Sequence, residues 1–155
     1  HMMGSHPDAC ERLFDAPRLY MSKPEKIDCY LSSINKLDQF VEQTYSVLNT
    51  AQRSFSINYF SDHGMTVDED SYHVDNEYKD NYQVPFFVLT SDAKNKIEYK
   101  KTISGYDYMN IYAGLLGIQT PLLNGKRHLE TIPDNKNVTV FDWDDYISYN
   151  SLKGQ

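Results

Sequence analysis

Long apolar runs are missing from this chain of 155 residues. The longest, at 84–89 and 111–118, fall well short of the roughly 20 residues that a membrane-spanning helix requires. Basic runs are missing as well. Lys and Arg total 15 against 22 Asp and Glu, a net charge of −7. That balance excludes a polybasic membrane patch and argues against a nucleic-acid surface. Cysteine is scarce: Cys10 and Cys29 permit either one disulfide, as in an exported protein, or two unpaired thiols. No internal repeat, low-complexity segment or signal peptide is visible. His1-Met2 has the form of a cloning-site remnant, and the chain reads as a piece cut from something longer.

What is present describes one globular domain spanning 1–155. Apolar residues make up 40% and charged residues 24%, enough for a single core. The 13 tyrosines are expected to pack their rings and keep their hydroxyls wet. Residues 1–27 read as loop, broken by Pro7, Pro17 and Pro24. Asp28 is an N-cap candidate for a helix over 29–51, in which Ile34, Leu37, Val41, Tyr45 and Leu48 recur at three and four residues. The face carrying Lys36, Asp38, Glu42 and Gln52 is polar. Strands are expected at 54–60, at 84–89 with Pro85 at its start, and at 138–141. Ser104 caps a second helix over 106–116, ended by Gly117. Helix, strand, long loop, strand, helix, strand reads as α/β with too few strands for a complete doubly wound sheet.

Chemistry concentrates at Asp62-His63-Gly64. A strand that ends in Asp-His and turns on glycine puts a carboxylate and an imidazole at the carboxyl edge of a sheet, where open α/β sheets bind ligands. That donor pair suits Zn²⁺. The connection 64–83 is long, acidic and carries His73, which can fold back toward such a metal. His6 lies in the glycine-bearing segment Gly4-Ser-His6-Pro. The bland alternatives stand beside these: Asp-His-Gly is a three-residue match, lone histidines such as His128 are usually surface residues, and the acidic stretch lacks the Asp-x-Asp-x-Asp-Gly spacing of a Ca²⁺ loop and reads as a solvated face.

Together these segments resemble a family. Tyr59-Phe-Ser-Asp-His-Gly64, then His73, then Gln83-Val-Pro-Phe-Phe-Val-Leu89, is similar to the last third of the sulfatase-like phosphoethanolamine transferases of the alkaline-phosphatase superfamily. His1-Met-Met-Gly-Ser-His6 resembles that family's His-x-Met-Gly-(Ser/Asn)-His loop. Tyr30-Leu-Ser-Ser-Ile34 stands where the family reads Tyr-Asp-Asn-Ser-Ile. Ser104-Gly-Tyr-Asp107, followed by 111–118, resembles its late helix ending in Leu-x-Gly-Ile. The match covers about residues 1–118 in the family's order.

The resemblance implies an alkaline-phosphatase-like α/β sheet with flanking helices, present here as its C-terminal portion. It implies a transferase in which a zinc-activated threonine takes phosphoethanolamine from phosphatidylethanolamine and passes it to an acceptor such as lipopolysaccharide or another envelope glycan. By position Asp62 and His63 would bind zinc. His6 and His73 would face the substrate phosphate or bind a second zinc, and His1 matches another substrate-facing histidine. The domain would lie in the periplasm, anchored to the inner membrane through an N-terminal part absent from this chain, a setting that favours a Cys10–Cys29 bridge. The chain departs from the pattern at Leu31 and Ser32, which replace Asp-Asn, and at Met65, which replaces glutamate. The family's nucleophile and carboxylate ligand lie upstream; Thr66 does not match the nucleophile segment, so the piece is expected to be inactive alone. The rival readings are a sulfatase or glycerol-phosphate transferase of the same superfamily, and a non-catalytic binding module with this fold.

Overall fold

The computed structural model describes residues 8–123 and 129–154. His1, His6 and His128 lie outside the described residues. The chain separates into two compact units that meet between Ala93 and Lys94. Each unit is described by itself.

The first unit begins with α1 (Ala9–Leu13), inside the stretch expected to be loop. Asp8 caps it, its Oδ1 accepting from the amides of Cys10 (2.8 Å) and Glu11 (3.4 Å). Asp8 followed three residues later by Glu11 is the sequence signature of a helix start. A helix this short does not hold itself together in water, and three ties fasten it to α2 (Glu25–Thr50). Cys10 and Cys29 are joined by a disulfide. Lys36 Nζ donates to the carbonyls of Arg12 and Leu13, both at 3.0 Å, capping the C-terminal end. Ala9, Leu13 and Cys29 form a buried cluster, with Tyr30 and Tyr72 packed against it.

α2 starts a turn before its expected start, at Pro24-Glu25, and Asp28 is not its cap. Asp28 is 1% exposed. Its Oδ1 accepts from the Tyr20 amide (2.8 Å) and the Ser32 hydroxyl (3.0 Å), and Arg18 Nε lies 3.4 Å from Oδ2. The carboxylate thus ties the 17–24 loop onto the helix. Burial of this kind requires such partners. Proline supplies the helix start because its fixed φ, here −51°, suits the entry to a helix and its missing N–H costs nothing there.

β1 (Ser56–Phe60) and β4 (Phe86–Thr90) pair antiparallel, with Asn58 opposite Val88. Both lie where strands are expected, and Pro85 falls just before β4, so its missing N–H interrupts no ladder. Tyr59 and Phe87 face one another across the pair, stacked at 5.0 Å. The 64–83 connection is ordered rather than a plain loop. It folds into a hairpin of β2 (Thr66–Val67) and β3 (Tyr72–His73), followed by a 3-10 turn at Lys79–Asn81.

In the second unit Ser104 does cap, but what it caps is a 3-10 turn, Gly105–Asp107, that leads into α3 (Tyr108–Leu115). Gly117 ends the helix at φ +68°. Its amide bonds the Gly114 carbonyl (3.2 Å) and that of Ile118 bonds Ala113 (2.8 Å), the pair of reverse bonds that closes a helix on a left-handed glycine. β5 (Thr139–Phe141) pairs antiparallel with β6 (Tyr146–Ser148), a strand the sequence pattern did not indicate. Asp142 Oδ1 turns the chain between them by accepting from the amides of Asp144 (3.1 Å) and Asp145 (2.7 Å). Lys101 Nζ gathers the carbonyls of Leu129, Glu130 and Ile132 at 2.8–2.9 Å. All three sheets among the described residues are two-stranded. The architecture is mixed helix and small antiparallel sheets, an incomplete α/β domain.

The bridge spans 19 residues, for which loop-closure entropy gives about 3 kcal/mol. Replacing both cysteines by serine should lower the unfolding free energy of the first unit by about that amount, measured as a shift of the urea midpoint. A midpoint that does not respond to the replacement would show the bridge to be energetically idle.

Candidate functional site

The Asp62-His63 pair stands just past the carboxyl end of β1, as expected from the strand-then-turn pattern. Asp62 is exposed and His63 half-buried. The turn is shaped by local bonds: the His63 amide donates to Asp62 Oδ1 (3.2 Å) and the Ser61 hydroxyl to the His63 carbonyl (2.8 Å). His63 Nδ1 lies 2.9 Å from the Gly64 carbonyl oxygen. A carbonyl only accepts, so this contact puts the ring proton on Nδ1 and the lone pair on Nε2. Metal-binding imidazoles are oriented in this way. One carboxylate and one such imidazole are a donor set that fits Zn²⁺. They are two donors, and among the described residues no group of three or more His, Cys, Asp or Glu comes together as a metal site.

Gly64 is required by space. Its amide donates to the Asn81 carbonyl at 2.8 Å, and a Cβ here would stand 2.0 Å from the Asp80 carbonyl oxygen and 2.6 Å from that of Gln83. The glycine of Asp-His-Gly therefore lets the 3-10 turn close directly on the segment that carries Asp62 and His63.

That closure rests on a polar network. The Thr66 hydroxyl donates to Asp75 Oδ2 (2.9 Å) and accepts from Asn81 Nδ2 (2.5 Å). Asn81 Oδ1 accepts from the Asp75 amide (2.9 Å). Asp75 Oδ1 accepts from the amides of Glu77 (2.8 Å) and Tyr78 (3.1 Å). Thr66 and Asn81 are buried, and each finds partners, as buried polar groups must. Burial pushes the Asp75 carboxyl upward, but the bonds from Glu77, Thr66, Tyr78 and Asn81 together outweigh it and hold the pKa below the ordinary carboxylate value.

His73 sits on β3 opposite Thr66. Its Nε2 is 3.1 Å from Asp75 Oδ2 and its Nδ1 3.4 Å from Asp68 Oδ2. The hairpin therefore seats His73 between two aspartates, and it does not join Asp62 and His63 in a three-donor group. The placements of His6 and His1 lie outside the described residues. Sequence reasoning passed over Asp68 and Asp75, although their placement five residues before and two residues after His73 puts them on the same short hairpin. It also passed over a set of tyrosines. The rings of Tyr72 and Tyr30 pack in a tilted arrangement, centroids 5.0 Å apart. The Tyr30 hydroxyl is pushed up by burial and by Tyr72 and Tyr59 nearby, and that of Tyr59 by burial and by the Asp62 charge. Tyr30 and Tyr59 stand within motifs of the resemblance, while the signal for Tyr72 is the abundance of tyrosine.

The Sulfatase family model matches residues 1–118. Phosphoethanolamine transferase OpgE of Escherichia coli (strain K12) is 34% identical over 131 residues, covering 81% of this chain and 25% of that protein. A putative phosphoethanolamine transferase of Haemophilus influenzae is 39% identical over 79 residues, 45% of this chain and 16% of its own length. Putative transferase YhbX of Escherichia coli (strain K12) is 29% identical over 96 residues, 59% of this chain and 17% of its own. The chain thus spans a quarter or less of the curated relatives it matches. No solved structure matches it.

Two outcomes are expected from this geometry. Gly64→Ala should destabilise the first unit by about 3 kcal/mol, because the obstructing atoms are backbone; a thermal melt that does not move would contradict the close approach. The Asp75 carboxyl is depressed in the folded state, so its stabilisation is complete above the unfolded value of 3.8 and is lost as pH falls below that, through the folded value. Asp75→Asn should therefore flatten the acid limb of a stability-versus-pH curve below about pH 4. An acid limb as steep as that of the unaltered protein would remove Asp75 from that role.

Proposed function

Since the chain belongs to the sulfatase family, we propose that it is part of a zinc-dependent transferase that moves phosphoethanolamine from phosphatidylethanolamine to a cell-envelope glycan such as lipopolysaccharide. Two of its relatives carry the name phosphoethanolamine transferase. The observation that carries the zinc reading is the 2.9 Å contact of His63 Nδ1 with the Gly64 carbonyl, beside the Asp62 carboxylate.

Asp62 and His63 would hold the metal, which when bound lowers the pKa of a nucleophile and polarises phosphoryl oxygens. The remaining ligands and the nucleophile, a threonine that carries the phosphoethanolamine group as a phosphodiester between donor and acceptor, would belong to the portion of the enzyme upstream of this chain. The chain alone is therefore inactive. His73 faces the substrate phosphate. The Asp75 carboxylate lies 3.1 Å from His73 Nε2 and flanks the ring. His6 and His1 are assigned to the same phosphate. No described helix is long and apolar enough to cross a membrane. The domain is placed in the periplasm, anchored in the inner membrane through the upstream part.

In the full-length protein, His63→Ala should abolish both zinc retention, measured by elemental analysis, and phosphoethanolamine transfer. Full zinc content with full transfer would sink the assignment. His73→Ala should keep the fold and lower transfer about 100-fold, the scale of a lost acid-base or phosphate-positioning group. An unchanged rate would reduce His73 to a residue of the hairpin alone.

A further inference from the structure

A hairpin that buries one face normally carries polar residues on the other. β5 and β6 depart from that rule. Val140 is buried, with Ile147 opposite it on the inner face. Phe141 and Tyr146, also directly opposite one another, occupy the outer face with their rings 5.4 Å apart. Tyr106, from the turn before α3, adds a third ring 6.3 Å from Tyr146 and a side-chain hydrogen bond to it. The 142–145 turn between the strands presents Trp143. These four aromatics are 45–67% exposed, although large rings give folding much of its buried area. Trp143 also has a φ of +82°, which is costly for a bulky side chain. Phe14 and Gln52, the other described non-glycine residues with positive φ, lie where α1 and α2 end. Trp143 ends no helix. Asp142 fixes the turn by accepting from the amides of Asp144 and Asp145, so a strained backbone holds an exposed ring. Strain of this kind persists where it serves a site.

We propose that Tyr106, Phe141, Trp143 and Tyr146 form a platform for an uncharged hexose stretch of the acceptor glycan, with Asp144 and Asp145 of the same turn accepting from its hydroxyls. This rests on the reading of the acceptor given above and deepens it. A pyranose offers C–H faces that pack on the electron-rich face of an aromatic ring, and a rim of hydroxyls that donate to carboxylates. The two carboxylates are exposed and accept only. The turn holds three aspartates and no lysine or arginine, a charge that repels phosphorylated sugars, an anionic lipid surface and nucleic acid. An uncharged sugar chain supplies both the apolar faces and the hydroxyl donors that this surface complements. The hairpin lies beyond the residues matched by the Sulfatase model, which suits a surface that selects an acceptor rather than one that performs shared chemistry.

Calorimetric titration of the full-length protein with maltohexaose and with laminarihexaose, an α-linked and a β-linked neutral glucose oligomer, should show saturable binding of at least one. A sulfated dextran oligomer should not bind. Trp143→Gly removes the ring and suits the positive φ, so the thermal midpoint should not fall, while sugar affinity should drop about tenfold or more, the scale of a lost aromatic anchor. Tyr146→Ala should weaken binding likewise. In transfer to a glycan, Trp143→Gly should raise the acceptor KM about tenfold with kcat within about twofold, the pattern of lost ground-state binding. Failure of both neutral oligomers to bind, binding of the sulfated one in their place, or undiminished affinity in both variants would overturn the platform. So would a dimer that dissociates in Trp143→Gly with no sugar bound, which would make the face an interface between copies. A lowered midpoint in Trp143→Gly would assign the ring to packing and overturn the argument from strain. Failure of the functional reading is distinguishable, because titration needs no turnover: it would appear as absent transfer in the unaltered enzyme while sugar binding is still lost in Trp143→Gly.

Discussion

Hydrogen bonds from Thr66, Glu77 and Tyr78, with the His73 ring beside them, converge on the Asp75 carboxylate and shape the connection between β1 and β4. Thr66 and Asn81 extend this centre inward, and the Asn81 carbonyl receives the Gly64 amide. The same network thus touches the residue after His63 and the ring of His73. Buried polar groups of this kind are costly when half satisfied and rigid when complete. Here they convert an acidic, apparently solvated stretch into a frame for two candidate site histidines. They also explain why the glycine of Asp-His-Gly has no room for a side chain: the 3-10 turn that carries Asn81 lies directly against it.

A second frame lies at the start of the chain. α1 has five residues, too few to persist by itself, and it is held from outside. The disulfide, Lys36 at its last carbonyls and the Tyr72 hydroxyl at its first amide act from different directions. Tyr30 belongs to this frame through its ring. The aromatic abundance of the chain has its use here, since tyrosine packs with its ring and bonds with its hydroxyl at once.

The His63 imidazole is aimed by a carbonyl, an orientation that metal-binding imidazoles share, and among the described residues no group of three or more His, Cys, Asp or Glu comes together as a metal site. The chain covers a quarter of the length of a relative such as OpgE. Membership of the sulfatase family follows from a match over residues 1–118, and the motifs that carry it are spread along that stretch in order.

The helix over α2, the strands β1 and β4, the glycine stop of α3 and the place of Asp62-His63 at a strand end were legible from the chain alone. These are outcomes of local periodicity, turn chemistry and short-range sterics, which act over a few neighbouring residues. Asp28 shows where that reach ends. As a residue type it suits a cap, and only the packing of the 17–24 loop made it a buried anchor instead. α1 and β6 escaped because elements this short are stabilised by what they pack against or pair with rather than by their own pattern. The bonds from Asp75 to Thr66, from Asn81 to Gly64 and from Ala9 to Tyr72 join residues 9 to 63 positions apart. Nothing in the order of residue types specifies such partners. Tertiary structure chose them, because a buried donor or acceptor must be met by whichever group the closed chain brings to it.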